Sequence, residues 1–236
     1  MVYRRSSMLL ALALLLAPLS AGAAAPAPTP APAASAAEKT FLATIMRELP
    51  KRYPDPKAAA KAGYARYGNE DDTGAISYVN DGRWWNVTDP LRPSQLWYDV
   101  RGRLIGADYS VLQSSVPAGG KPTTLGIDPK RFGKNGAHVH YVTCARPAGA
   151  CVYGKSVTVK RYAKFNGGDY RHPTAAGLVK AGAVKDAASV RTVFLYQAIY
   201  DVSVWVVPNP LGQFAEKNPA VKPSPGAGKG EDEPLE

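Results

Sequence analysis

Two rhythms of apolar residues divide the chain. From Ala37 the stretch AEKTFLATIMREL sets Phe41, Leu42, Ile45, Met46 and Leu49 three and four residues apart, one stripe along a helix. Pro50 is expected to end that helix. DPKAAAKAGYARY then offers Asp55 as a cap and Pro56 at the first helical position, ahead of good helix formers. From Gly74 the rhythm shortens to two. AISYV and RWWNV flank Asp81-Gly82, a hairpin signal. SQLWYDV and RLIGADYSV flank Arg101-Gly102, and HVHYVTC and CVYGKSVTVKRY are joined by ARPAGA. RTVFLY and YDVSVWVV close the series, after a helix at TAAGLVKAGAV. Helices followed by about seven or eight strands predict an α+β domain. Its sheet is predominantly antiparallel, open or partly closed into a barrel.

The ends of the chain carry other patterns. MVYRR is a positive start, Met8 to Leu19 is an apolar run, and Ala21 to Ala23 forms a small-x-small site. A membrane anchor needs roughly 17–25 apolar residues, more than this run supplies. Residues 1–23 therefore read as a cleaved signal peptide, and no transmembrane span is expected in the mature chain. Residues 24–37 alternate Ala with Pro and read as an extended linker. Residues 222–236 are Pro/Gly-rich, then acidic, and read as a disordered tail. Between them, 38–221 forms one globular domain, periplasmic or secreted.

Charge narrows the partners. The chain holds 29 Lys and Arg against 19 Asp and Glu, a net +10, and loss of Arg4 and Arg5 with the leader leaves +8. Outside the cytoplasm a basic domain meets anionic envelope polymers, lipid head groups or a small ligand rather than nucleic acid.

The candidate chemistry gathers in GAHVHYVTCARPAGAC. His138 and His140 are two apart, so on a strand both imidazoles leave the same face. That spacing suits a transition metal such as Zn or Cu. The third histidine, His172 in GGDYRHPT, is the expected further ligand, with Asp169 three residues before it. Cys144 shares the parity of the histidines. In an exported chain with two cysteines, however, Cys144 and Cys151 are expected to pair, their six intervening residues forming a loop. Asp99 and Asp108 are expected near each other across the second hairpin, where a carboxylate pair could do acid–base work only if one is desolvated. The cluster NEDD (Asn69 to Asp72) reads as a turn cap rather than a set of oxygen ligands. Trp84, Trp85 and Trp97 could stack on a flat ligand, although such residues more often pair across strands. Nucleophile elbows, metalloprotease helices, phosphate loops and dinucleotide fingerprints are missing.

The stretches YGNEDDTGAISYVN, SQLWYDVRGRLIGADYSV and VWVVPNPLGQFAEKNP resemble a family of bacterial exported proteins of unassigned function. The resemblance lies most clearly in Trp205, Asn209-Pro210, Gly212, Phe214 and Asn218-Pro219. It implies an exported domain and no particular reaction. In similar proteins histidines often occupy the strand before that Trp, where this chain has Asp201 and Ser203.

Taken together these features favour an exported, non-enzymatic binding or envelope-associated domain that takes a transition metal through His138 and His140. The alternatives are a metal-dependent hydrolase or oxidoreductase using the same histidines, and a structural envelope protein contacting anionic polymer. The cysteine pairing yields a direct expectation. Thiol titration of the native protein should find no reactive thiol until reductant is added, and two reactive thiols in the unreduced protein would contradict the bridge.

Overall fold

The computed structural model describes residues 29–80, 87–145 and 151–228, apart from the side chains of residues 153 and 154. Helix α1 spans Ala36–Arg52 and starts inside the Ala/Pro segment. Ser35 and Glu38 form a reciprocal capping box there, which satisfies two of the amide donors a helix start leaves unpaired. Pro50 does not end α1, contrary to expectation. In the last turn its missing N–H costs one bond, and the Tyr53 amide still closes onto the Leu49 carbonyl at 2.8 Å. Helix α2 (Pro56–Lys61) begins as expected, with Asp55 accepting from the Ala58 amide at 2.8 Å. It is shorter than its composition suggests, because Gly63 takes φ +88° and turns the chain into a strand.

Six strands build the larger sheet, in the order β1 (Ala65–Glu70), β2 (Ile76–Val79), β3 (Gln95–Tyr98), β4 (Leu104–Leu112), β9 (Ile199–Trp205), β5 (Gly133–Asn135). The smaller sheet sets β6 (His138–Cys144) between β7 (Cys151–Thr158) and β8 (Val190–Tyr196). All of the pairings are antiparallel. The α+β class and the antiparallel sheet thus hold, with two corrections. The nine described strands exceed seven or eight, since β1 and β5 come from ARYGNE and GKN, which do not alternate. The sheets also stay open among the described residues: β1 lies beside β7 without a ladder between them, so no barrel closes.

The second and third hairpins form where the alternation puts them. The turn at Asp81-Gly82 and the run Arg83 to Asn86 lie outside the described residues, and β2 pairs with β1 and β3. The β-prone run after Cys151 ends earlier than expected. Thr158 caps helix α3 (Val159–Phe165), which with α4 (Ala175–Lys180) covers one face of the smaller sheet. Helix α1 covers the larger sheet, burying Phe41, Ile45 and Leu49 against Leu96, Tyr109 and Val204. Cys144 and Cys151 face each other where the connecting loop leaves β6 and enters β7, and form the expected disulfide. Such bridges persist in oxidising compartments. Among the described residues no helix is long and apolar enough to cross a membrane.

Both flanking segments touch the domain. The Ala31 amide donates to the Leu211 carbonyl at 2.7 Å. Ser224 donates through both its amide and its hydroxyl to the Glu70 carboxylate, and the Gly228 amide donates to the Glu70 carbonyl.

Arg131 joins the N-terminal segment to the rest. Its Nε donates to Glu38 Oε1 at 2.5 Å, and its Nη2 to the Pro32 and Ala33 carbonyls at 3.0 and 3.2 Å. Burial would push the Glu38 carboxyl up, but the Arg131 hydrogen bond, the Ser35 and Asp128 amides and the Arg131 charge outweigh it and hold it down at about 2. Between the ordinary value of 4.5 and about 2, the unfolded chain takes up a proton that the folded chain refuses. The stabilisation is therefore complete above pH 4.5 and lost as pH falls toward 2. Glu38→Gln is expected to lower the unfolding free energy by about 3 kcal/mol at neutral pH, the deficit shrinking below pH ~4. Urea midpoints across pH measure this, and a pH-independent deficit would contradict it.

Candidate functional site

Strand β4 is buried almost throughout, so each polar side chain on it needs a partner. Asp108 stands opposite Gln95 on β3 and Ser203 on β9. Ser203 Oγ donates to Asp108 Oδ1 at 2.6 Å, and Trp97 Nε1 to Oδ2 at 2.9 Å. Two pairs further along, Ser110 opposes Asp201 and shares a hydrogen bond with Ser94 at 2.9 Å. Asp201 Oδ1 accepts from Asn135 Nδ2 at 2.9 Å. Burial lifts the Asp108 carboxyl well above the ordinary carboxylate range and the Asp201 charge lifts it further, against the pull of Ser203 and Trp97. Burial raises Asp201 as well. Raised to about 8, the Asp108 carboxyl stays largely protonated at neutral pH.

Asp201 and Ser203 also line a cleft of about 740 Å³, with Arg131, Gly133, Phe214 and Glu216 among its walls. Arg131 lies over the Phe214 ring, 4.2 Å from its centroid. The loop carrying Phe214 is tied at both ends by asparagines. Asn209 accepts from the Leu211 amide and donates to the Lys217 carbonyl, while Asn218 accepts from the Ala220 amide and donates to the Pro208 carbonyl. Gly212, at φ +95°, makes the turn between them. The two Asn-Pro pairs thus have a structural account: they clamp a loop around Trp205, whose Nε1 donates to the Ala215 carbonyl at 2.8 Å.

The second candidate lies on the smaller sheet. His138 and His140 share one face of β6, their ring centroids 5.8 Å apart. Val139 and Tyr141 alternate onto the opposite face, under α3 and α4. Each imidazole stacks on its cross-strand partner, His138 on Tyr196 at 4.5 Å and His140 on Phe194 at 5.5 Å. Tyr67 from β1 tilts over His140 at 4.6 Å. Burial lowers both imidazoles, with the Gly136 carbonyl partly opposing the effect at His138. At His140, burial and then the His138 ring push the value down to about 3. Both rings are therefore neutral at physiological pH, the form that binds metals. Tyr196 connects the two candidates: burial and then the Asp201 and Asp108 charges raise its hydroxyl, while its ring stacks on His138.

The other sequence candidates are dispersed. The His172 side chain is 86% exposed in the loop before α4, against Asp169, while α4 packs on the face of the sheet opposite His138 and His140. Among the described residues no three His, Cys, Asp or Glu side chains gather as a metal would need. Both cysteines are consumed by the bridge. Asp99 and Asp108 do not pair: Asp99 caps its own turn through the Arg101 and Arg103 amides, at the other end of the hairpin from Asp108. Asp71 caps the NEDD turn as expected, accepting from Thr73 and Ala75. Trp97 lies against Gly106 and edge-on to Trp205. Trp84 and Trp85 lie outside the described residues.

Sequence reasoning missed Asp201 and Ser203 as partners of Asp108, and Tyr67, Phe194 and Tyr196 as walls for the histidines. The even spacing of Asp201 and Ser203 on a strand was the available signal. Comparisons with protein-family models, curated proteins and solved structures find no match to this chain.

A pH-dependent consequence follows for Asp108. Above the ordinary carboxylate value of 3.8 the unfolded chain releases a proton that folded Asp108 keeps, so this group's stabilisation is complete below 3.8 and lost as pH rises through its raised value. Asparagine cannot ionise. The stability of Asp108→Asn relative to the parent should therefore improve steadily from about pH 4 to about pH 9 in urea titrations, and a constant difference would contradict the raised carboxyl.

Proposed function

We propose that this chain is an exported, non-enzymatic binding domain of the cell envelope that takes a transition metal through His138 and His140. One observation carries the reading: the two imidazoles stand side by side behind an aromatic wall, and His140 Nδ1 is buried with no hydrogen-bond partner among the described residues. A buried polar atom without a partner is rare in folded proteins and asks for a ligand. The disulfide and the leader-like start support export.

A catalytic reading draws on a different observation, the two raised carboxyls of Asp108 and Asp201 beside the cleft. There Asp201 would meet a substrate and Asp108 would hold the proton behind it. Both Asp108 oxygens are already engaged by Ser203 and Trp97, which favours a structural use of that proton.

The binding reading is tested by equilibrating the protein with micromolar Zn(II), Cu(II), Co(II) and Ni(II) and, anaerobically with ascorbate, with copper(I), then removing free metal and measuring what remains. The parent should retain metal and His138→Ala and His140→Ala should each lose most of it. Equal content in all three proteins would end the proposal.

A further inference from the structure

The donor set on β6 discriminates between metals. We propose that His138 and His140 form a two-coordinate site for a monovalent soft cation, copper(I), held between His138 Nε2 and His140 Nδ1. This rests on the metal-binding reading above and names the ion.

His138 is oriented for the task. Its Nδ1 lies 3.1 Å from the Gly136 carbonyl oxygen. A carbonyl only accepts, so Nδ1 carries the proton and Nε2 keeps a free lone pair. Metal-ligating histidines are commonly fixed in this way, by donating the other ring N–H to a backbone carbonyl. His140 is 5% exposed, and its Nδ1 has no hydrogen-bond partner among the described residues.

The spacing, near the ordinary separation of same-face neighbours on a strand, leaves room for one shared ion. Metal–nitrogen bonds of about 2 Å, extended to the ring centres, place two imidazoles about 6 Å apart when they face each other across the metal. The observed separation is 5.8 Å.

The missing ligands matter equally. Zinc sites use three or four protein ligands, and calcium and magnesium require oxygen. Here two neutral nitrogens stand without a third His, Cys, Asp or Glu beside them among the described residues. Copper(I) is satisfied by two nearly collinear nitrogen donors, and imidazole is a ligand it accepts. Charge points the same way. The Born cost of desolvation grows as the square of the charge, so a divalent ion costs about four times as much as a monovalent one behind the same walls. Tyr67, Phe194 and Tyr196 supply those walls, and aromatic faces attract cations.

The experiment uses the whole chain with its disulfide intact, under anaerobic conditions with ascorbate and no thiol reductant. Copper(I) is titrated in competition with a chromogenic copper(I) chelator, silver(I) serves as a redox-inert stand-in followed by native mass spectrometry, and zinc(II) is titrated separately. One equivalent of copper(I) or silver(I) should bind, at least about 100-fold more tightly than zinc(II), and His138→Ala should weaken it by about 100-fold or more. X-ray absorption of the copper(I) form should show two nitrogen neighbours. Because His140→Ala could fail to fold, His140→Met is the companion variant. It keeps a soft donor and should hold copper(I) within about 10-fold of the parent while remaining poor for zinc(II). If zinc(II) binds as tightly as copper(I) through the same histidines, the copper(I) assignment falls and the metal-binding reading stands. If neither ion binds, or if binding is unchanged in His138→Ala, both fall.

Discussion

The ion pair between Glu38 and Arg131 is the contact on which the arrangement of the N-terminal segment against the larger sheet depends. The residues are 93 apart in sequence, and both side chains are almost fully buried. Burying two charges costs several kcal/mol each unless the remaining donors and acceptors are satisfied. Here they are. Glu38 closes the capping box of α1 through the Ser35 amide and accepts from the Asp128 amide, while Arg131 reaches the Pro32 and Ala33 carbonyls and covers Phe214. One pair thus fixes the start of α1, the end of the Ala/Pro segment, the turn before β5 and the loop after β9. The same guanidinium is a wall of the cleft above Asp201 and Ser203.

The interior is more polar than a simple sheet core, and desolvation acts on it with two signs. Around Asp108 and Asp201 it keeps a proton on, because the charged form of a carboxyl is the anion. Around His138 and His140 it keeps protons off, because the charged form of an imidazole is the cation. Tyr196 lies between them, its ring on one group and its hydroxyl in the field of the other. The fold therefore prepares a neutral carboxyl and two neutral imidazoles at one pH without a compensating charge at either place.

Local pattern accounts for much of this fold. The stripe from Phe41 to Leu49 buries Phe41, Ile45 and Leu49 on α1, and the second and third hairpins stand where the alternation put them. The misreadings also have local causes. Pro50 is tolerated because it falls in the last turn, and the β-prone run after Cys151 stops where Thr158 offers a helix cap. Strands β1 and β5 lack alternation, because ladder bonds and neighbouring elements hold them rather than an apolar face of their own.

By itself the sequence determined which residues share a strand face and which cysteines meet, since both follow from the two-residue period and a short loop. His138 beside His140, and Cys144 beside Cys151, needed nothing more. Only the tertiary structure decided what those faces meet. It left His172 exposed in the loop before a helix that packs on the face opposite the histidine pair, brought Tyr67 over His140, and set Ser203, with Asp201 two residues before it, beside Asp108 in place of Asp99. Pairing β4 with β9 joins segments about ninety residues apart, and its benefit appears only once both faces of β4 are covered. That condition belongs to the assembled layers and leaves no periodic trace in either strand.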